Sequence, residues 1–178
     1  MRILGVDPGV SGALALYTPR AVQTFDMPVF KIRRGRRQAS ECDAVALADL
    51  IARLMPMDLA VVESVWAMTG DNIASLATLM QAQGVVLGVL AALDIPTETV
   101  APMVWKRAMR VPIGGGLSDA IRKDASRRRA SQLFPACAPQ WEFKKDHGRA
   151  EAALLAYFGA EFRAATPSSA TLFAEAQA

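Results

Sequence analysis

The chain has 178 residues, 52% of them hydrophobic, and a net charge of +3. This composition excludes a disordered chain, and the length suits a single domain with an α/β core. The longest apolar stretch, residues 84–93, is predicted to be too short to cross a bilayer, and the N-terminus has no secretory pattern, so we expect a cytoplasmic protein. Two cysteines and one histidine exclude a zinc knuckle or a disulfide framework.

The first third of the chain predicts three strands. Apolar residues over 2–6 indicate the first strand, and the turn at Pro8-Gly9 returns the chain as a hairpin over 13–17. A third strand is predicted over 21–25, and a basic loop follows it. Ser40 and Asp43 then form a capping-box pattern that predicts a helix over about 41–55.

The rest of the chain alternates strands with helices. The apolar run 59–63 is reached through a helix and predicts a buried parallel neighbour of the first strand. A long helix from Asp71 or Asn72 to 93, a strand over 95–100, a helix over 102–109 and a basic helix capped by Ser118 follow, and the final helix begins at Asp146 or His147. We expect one domain over 1–163 and a disordered tail over 164–178.

Two carboxylates stand at the ends of predicted strands. Asp7 ends the first strand and Glu63 ends the strand 59–63, so parallel pairing places them side by side at one sheet edge. A charge at the mouth of a buried strand costs free energy, and a divalent metal ion is the usual compensation. Alternatively, Asp7 is a turn residue before Pro8, and Glu63 pairs with an arginine. The pattern favours half of a metal site.

The basic residues are unevenly distributed. Such clustering is typical of a polyanion-binding face, although a solvated helix face is the alternative. The first cluster holds Lys31, Arg33, Arg34, Arg36 and Arg37, and the second holds Lys106, Arg107, Arg110, Arg122, Lys123, Arg127, Arg128 and Arg129.

Four blocks in order resemble the RuvC-type Holliday junction resolvases of the RNase H-like superfamily. They are GVDPGVSGALAL, VVESVWAM, the helix-containing segment QAQGVVLGVLAALDIPTETVAPMVWKRAM and the acidic final helix, and together they cover most of residues 1–159. The resemblance implies an α/β, RNase H-like fold: a mixed five-stranded sheet flanked by helices, with its first three strands antiparallel and its last two parallel. It also implies a crossover junction endodeoxyribonuclease that acts in DNA recombination and repair.

The implied cofactor is Mg²⁺, with Mn²⁺ as a substitute, and two ions per site. Phosphodiester hydrolysis needs a nucleophilic water and a neutralised leaving oxygen, and a pair of divalent ions supplies both. With one histidine and no thiol cluster, the chain offers hard oxygen ligands that suit these metals better than zinc. Asp7 is expected to bridge both ions and Glu63 to bind one.

The last motif departs from the resolvase pattern of two acids, or a histidine and an acid, one turn apart. His147 and Glu151 are four residues apart and share a helix face, whereas Asp146 and Glu151 diverge unless Asp146 precedes the helix. In one assignment Glu151 is a metal ligand, and His147 is a further ligand or the base for the attacking water. In the other, Asp146 is the ligand, although Asp146 is also a candidate N-cap.

The resemblance also implies residues that contact DNA. Lys106 and Lys123 correspond to lysines near the scissile phosphate, where a cation stabilises the transition state; the alternative is simple backbone grip. Trp66 is expected to stack on bases at the junction centre rather than lie in the core. The complete set of expected DNA contacts is Trp66, Arg33, Arg34, Arg36, Arg37, Lys106, Arg107, Lys123, Arg127 and Arg128.

The expected partner is branched DNA, especially a four-way junction. The long helix with Gly84 and Gly88 packs on the sheet, forms part of a homodimer interface, or does both. We expect no membrane and no nucleotide cofactor, since an actin-like ATPase would need a second phosphate loop and a longer chain. The alternatives are a nuclease for other branched DNA or RNA, and a junction-binding protein without catalysis. The divergent last motif favours a phage or prophage source.

Overall fold

A computed structural model of the chain describes residues 1–35, 37–65, 72–113 and 118–163, without the side chains of Arg34, Arg37, Asp119, Arg122 and Lys123. Within these ranges the strands are β1 (Ile3–Asp7), β2 (Ala13–Thr18), β3 (Ala21–Asp26), β4 (Val29–Arg34), β5 (Arg37–Cys42), β6 (Leu59–Glu63) and β7 (Thr97–Val100). The helices are α1 (Ala44–Leu54), α2 (Ile73–Ala92), α3 (Pro102–Ala108), α4 (Asp119–Leu133) and α5 (His147–Phe162).

Five strands form the main sheet in the order β3-β2-β1-β6-β7. β1 pairs antiparallel with β2, and β2 with β3, whereas β6 runs parallel to both β1 and β7. The predicted mixed sheet is therefore confirmed. The central strand β1 is buried on both faces, as its nearly continuous apolar sequence indicates.

Helices cover both faces of the sheet. Leu4 and Val6 of β1 pack into the core that also holds residues of α1 and α2, while Ile3 packs into the core against α5. Gly5 is essential to the second contact, since a Cβ there would lie 2.2 Å from the carbonyl oxygen of Ala152. The absence of a side chain at Gly5 lets α5 lie directly against β1.

The basic loop predicted after β3 is wrong, because β4 and β5 form a separate two-stranded hairpin. In this hairpin Lys31 lies opposite Ser40, and Arg34 lies opposite Arg37. The loop was predicted from the basic residues of this segment. Its residues Val29, Phe30 and Ile32, however, have the branched or aromatic side chains that favour strands.

The start of α1 also differs from the capping-box prediction. Asp43 is the N-cap, and its side chain accepts hydrogen bonds from the backbone N–H groups of Val45 and Ala46 at 3.1 and 3.0 Å. Ser40 is part of β5 rather than of a cap. Residues 41 and 42, which the capping-box pattern assigned to the first helical turn, therefore pair in the hairpin as part of β5.

Helix α2 is more apolar and more exposed than the sequence reading indicated. Asn72, one of the two predicted starts, caps it by accepting from the backbone N–H of Ser75. Its mean hydropathy is 1.7, and only 17% of its most apolar 18-residue stretch is buried. By length and composition alone, this helix could cross a membrane. The prediction that the apolar stretch was too short is thus wrong, because residues 84–93 are the end of a longer apolar helix. One such helix is weak evidence for a membrane protein, since core helices of soluble proteins can be as long and as apolar.

A 3₁₀ helix, Pro135–Trp141, joins α4 to the segment before α5 and has no counterpart in the predicted elements. The Gln140 side chain accepts from the backbone N–H of Thr24 and donates to the carbonyl oxygen of Val22, both at 2.8 Å. These bonds cover part of the outer edge of β3. The tail predicted over 164–178 lies outside the described residues.

Candidate active site

Three carboxylates converge at one edge of the main sheet. Asp7 ends β1, Glu63 ends β6 and Glu151 lies in the second turn of α5. Oxygen atoms of these three side chains lie within 4.8 Å of one another, close enough to hold a metal ion. The strands that carry Asp7 and Glu63 are parallel neighbours with Val6 opposite Val62, so both carboxylates emerge at the same edge.

The first turn of α5 lies directly against this edge. A Cβ built on Gly148 would be 3.0 Å from Oδ2 of Asp7 and 3.0 Å from the carbonyl oxygen of Ser11. Both distances are tighter than ordinary van der Waals contact. Glycine at position 148 therefore permits the close approach that brings Glu151 to Asp7.

Glu63 is held by a tryptophan that sequence reasoning missed. The indole N–H of Trp105, a fully buried residue of α3, donates to Oε1 of Glu63 at 2.9 Å. Burial raises the pKa of the Glu63 carboxyl; the positive charge of Lys106 opposes this, the negative charge of Glu151 adds to it, and the Trp105 hydrogen bond opposes it. Glu63 is thus a carboxylate whose charge needs a cation.

Glu151 is buried and has two donors on the same oxygen. The hydroxyl of Ser126, on α4, donates to its Oε1 at 2.8 Å, and Nζ of Lys106 lies 3.4 Å from that atom. The ammonium of Lys106 also lies 5.0 Å from the centroid of the Trp105 ring. Lys106 was expected near the reacting phosphate, and in the structure its ammonium lies beside Glu151 with 24% of the side chain exposed. Nothing in the spacing of Ser126 signalled its role.

Asp146 and His147 lie at the start of α5, outside the group of three carboxylates found among the described residues. The pKa of Arg149 is raised chiefly by its hydrogen bonds to Asp26, and the negative charge of Asp146 makes a smaller contribution. Nδ1 of His147 is buried and has no hydrogen-bond partner in the described part of the chain. This ring nitrogen, one residue before Gly148, is chemically available to a bound group.

A second feature absent from the sequence reading is the ion pair between Arg149 and Asp26. The guanidinium donates to both carboxylate oxygens, from Nε at 2.7 Å and from Nη2 at 2.6 Å. The Arg149 hydrogen bonds hold the pKa of Asp26 below its ordinary value. The pair ties the first turn of α5 to the end of β3.

The expected DNA contacts occupy several environments. Arg107 is exposed on α3, and Nε of Arg33 donates to the carbonyl oxygen of Gly35. Arg127 and Arg128 both pair with Asp124, and Arg127 also donates to the carbonyl oxygen of Glu142. Trp66 and Arg36 lie outside the described residues, as do the side chains of Arg34, Arg37 and Lys123.

Comparison with solved structures identifies the fold. One is T. thermophilus RuvC in complex with a Holliday junction substrate, with a TM-score of 0.56 and 15% identity, covering 92% of this chain and 98% of that one. Another is a Thermus thermophilus RuvC structure, with a TM-score of 0.51 and 16% identity, covering 90% and 95% of the two chains. This protein has the RuvC-like RNase H fold.

The sequence comparison agrees with this fold. The chain is 32% identical over 154 residues to the chloroplastic Holliday junction resolvase MOC1 of Chlamydomonas reinhardtii. The match covers 76% of this chain and 17% of that protein, so the chain spans less than a fifth of the relative's length. No family model matches the chain. The resemblance to RuvC-type resolvases that the motifs indicate is confirmed.

Proposed function

We propose that this protein is a metal-dependent endonuclease that resolves four-way DNA junctions by symmetric paired nicks. The observation that carries the proposal is the convergence of Asp7, Glu63 and Glu151 within 4.8 Å on a RuvC-like fold. The similarity to a relative named as a Holliday junction resolvase supports the choice of substrate.

The donor set fits Mg²⁺, with Mn²⁺ as a substitute. All three converging groups offer carboxylate oxygens, the hard ligands that these ions prefer. Trp105 and Ser126 each engage Oε1 of one glutamate, which leaves Oε2 of that glutamate for a ligand bond. A pair of divalent ions held there would supply a nucleophilic water at neutral pH and neutralise the leaving oxygen.

We assign two lysines to the scissile phosphate. The ammonium of Lys106 lies 3.4 Å from Oε1 of Glu151. In this position it would stabilise the charge that develops on the phosphate in the transition state. Lys123 belongs to α4, as does Ser126, which contacts Glu151, and we assign Lys123 the same role. The remaining proposed DNA contacts are Trp66, Arg33, Arg34, Arg36, Arg37, Arg107, Arg127 and Arg128.

Of the two candidates before Glu151, we assign the additional active-site role to His147. Its buried, unpaired Nδ1 supports this choice, because a neutral imidazole can take up the proton released when water attacks phosphorus. Asp146 is the residue directly before α5 and lies outside the three converging carboxylates. We therefore assign Asp146 to the start of α5 rather than to the metal.

The exposed face of α2 supports a homodimer. Ile73 and Met80 are 83% and 52% exposed, and Gly84 and Gly88 lie on the same side, opposite the buried residues Ala82, Val86 and Leu90. Small residues one turn apart let two helix backbones approach closely. A twofold dimer would present equivalent sites to the two strands that must be cut.

The dimer is tested by the molar mass of the wild type and of Gly88→Trp, measured by light scattering after size exclusion. We expect a dimer that the tryptophan converts to monomer, because a Cβ at Gly88 meets no atom within 4 Å inside the subunit. A monomeric wild type that floats with liposomes would instead assign the apolar face to a membrane.

The activity is tested with a labelled synthetic four-way junction in Mg²⁺, next to a linear duplex, a flap and an RNA. We expect symmetric nicks on the junction alone and no cleavage by Asp7→Asn. Asp49→Asn, an exposed acid on α1, is the matched control and should cut normally. Cleavage of flaps or RNA at the same rate would indicate a broader nuclease. Tight junction binding without cleavage in Mg²⁺ or Mn²⁺ would indicate a binding protein.

A further inference from the structure

An exposed aromatic residue stands directly before the helix that carries Glu151. The side chain of Phe143 is 61% exposed, the largest exposed fraction of any phenylalanine in the described part of the chain. Two exposed lysines, Lys144 and Lys145, follow it, and Nζ of Lys145 lies 5.9 Å from the centroid of the Phe143 ring. An apolar ring beside a cationic group suits a ligand that has both a flat apolar face and negative charge.

The segment is rigidly mounted despite its exposure. Trp141, two residues earlier, is 1% exposed and donates its indole N–H to Oγ of Ser131 at 3.0 Å. The guanidinium of Arg127 donates to the carbonyl oxygen of Glu142. The backbone N–H of Asp146 donates to the carbonyl oxygen of Phe143 at 3.0 Å. Because the backbone is held in this way, only the side chains of the segment need to be ordered when a ligand binds.

The segment also lies at the same edge of the sheet as the carboxylates. Asp26 pairs with Ala13 across β3 and β2, and Ala13 pairs with Asp7 across β2 and β1. Two strand spacings separate Asp26 from Asp7 by about 10 Å. The charge of Lys145 acts on Asp26, and Lys145 is three residues before Gly148, which abuts Asp7.

We propose that Phe143, Lys144 and Lys145 form a DNA-binding element beside the active site, in which the two lysines contact backbone phosphates and the phenylalanine stacks on a base unstacked at the junction. The inference rests on the proposed function and extends it to a named contact. An aromatic face tolerates any base, whereas lysines recognise only the phosphates, so the element recognises branched structure rather than sequence. The arginines of the hairpin β4–β5 are not part of this element.

The aromatic contact is tested by junction binding in an Asp7→Asn background, where the DNA stays uncut. We expect Phe143→Ala to weaken binding to a four-way junction about tenfold, with a much smaller effect on a linear duplex, and Phe143→Tyr to restore it. Phe162→Ala removes a phenylalanine that is 51% exposed at the opposite end of α5, and it should leave both affinities unchanged. With 2-aminopurine placed next to the cut site of the junction, binding of the protein with Phe143 should change the fluorescence of the probe. Binding of Phe143→Ala should not.

The lysines are tested by the salt dependence of the same affinity. The double change Lys144→Ala with Lys145→Ala should reduce the slope of log affinity against log salt by about 1.4–1.8, since each lost phosphate contact contributes about 0.7–0.9. Arg20→Ala removes a charge from the β2–β3 turn at the other end of the sheet and should leave the slope unchanged. Phe143→Ala should lower the affinity without changing the slope.

Equal junction affinity of Phe143→Ala and wild type would overturn the stacking contact, and so would an equal loss in Phe162→Ala. An unchanged salt slope in the double lysine variant would overturn the phosphate contacts. These results are separate from those of the proposed function. A wild type that binds the junction through Phe143 but never cuts it would remove the nuclease and leave the binding element in place.

Discussion

The indole N–H of Trp105 donates to Oε1 of Glu63 at 2.9 Å, while the ammonium of Lys106 lies over the Trp105 ring and 3.4 Å from Glu151. One buried side chain therefore contacts a candidate metal ligand with its edge and a candidate phosphate-binding cation with its face. Trp105 is a positioning residue in the proposed reaction, since it acts through these two groups.

Replacing Trp105 with phenylalanine should raise the metal concentration needed for half-maximal junction cleavage by about 10- to 100-fold. The substitution keeps an aromatic ring and removes the hydrogen bond that orients Glu63, and losses of this kind typically reduce metal affinity by that factor. Trp141→Phe is the matched control, because Trp141 is also buried and also donates its indole N–H, but to Ser131. The titration should be run with Mg²⁺ and with Mn²⁺, and thermal unfolding should be recorded for both variants. Equal metal requirements in the two variants would remove the positioning role.

Glu63→Gln should make the metal-free protein more stable than wild type at neutral pH. The folded pKa of Glu63 lies above its usual value of 4.5, chiefly because of burial, so its ionisation destabilises the fold as pH rises through that range. Glutamine does not ionise and retains an oxygen to accept from Trp105. In EDTA we expect a higher Tm for the variant at pH 7.5, by about 2–4 °C for each kcal/mol, and no difference near pH 4.

Adding Mg²⁺ should reverse that order, since only the wild type gains stability from bound metal. Thermal melts of both proteins, with EDTA and with Mg²⁺, provide the comparison. If wild type were the more stable protein in EDTA at pH 7.5, Glu63 would have a structural cation partner, and the metal assignment would weaken.

Asp26→Asn should destabilise the protein at pH 7 but not in acid. The pKa of Asp26 is held below its usual value of 3.8 by the Arg149 hydrogen bonds, so the stability from ionised Asp26 is present above that value and is lost as pH falls through the folded pKa. Because the Asp26 side chain is largely exposed, we expect a loss of no more than about 1 kcal/mol. Melts of both proteins at pH 7 and pH 3 test this, and the same difference at both values would indicate a cause other than the ion pair.

Gly148→Ala should reduce junction cleavage at least tenfold with a smaller effect on folding. The new Cβ would lie 3.0 Å from Asp7 Oδ2 and from the carbonyl oxygen of Ser11, so the first turn of α5 must move away from Asp7. Gly5→Ala is the contrasting variant, because its Cβ would meet the backbone of α5 at 2.2 Å and disrupt the core. Cleavage rates and melting temperatures should therefore separate the two. A fully active Gly148→Ala would show that α5 tolerates the shift.

The five-stranded main sheet and the edge that carries Asp7 and Glu63 could both be predicted from local sequence patterns. Apolar runs that end in Asp7 and Glu63, together with the helical connection between them, are local patterns that require parallel pairing, and pairing aligns the two strand ends. The N-cap residues Asn72 and Ser118 were equally readable, since a cap depends on neighbouring backbone groups.

The groups that surround those carboxylates could not be predicted from the sequence, because they come from distant parts of the chain. Trp105 and Ser126 contact Glu63 and Glu151 across 42 and 25 residues, so no local pattern relates them. The same holds for Arg149 and Asp26, which are 123 residues apart. Gly5 and Gly148 set how closely α5 approaches β1 and Asp7, and with it the positions of Glu151 and Arg149, because contacts between elements depend on how closely backbones approach rather than on spacing along the chain.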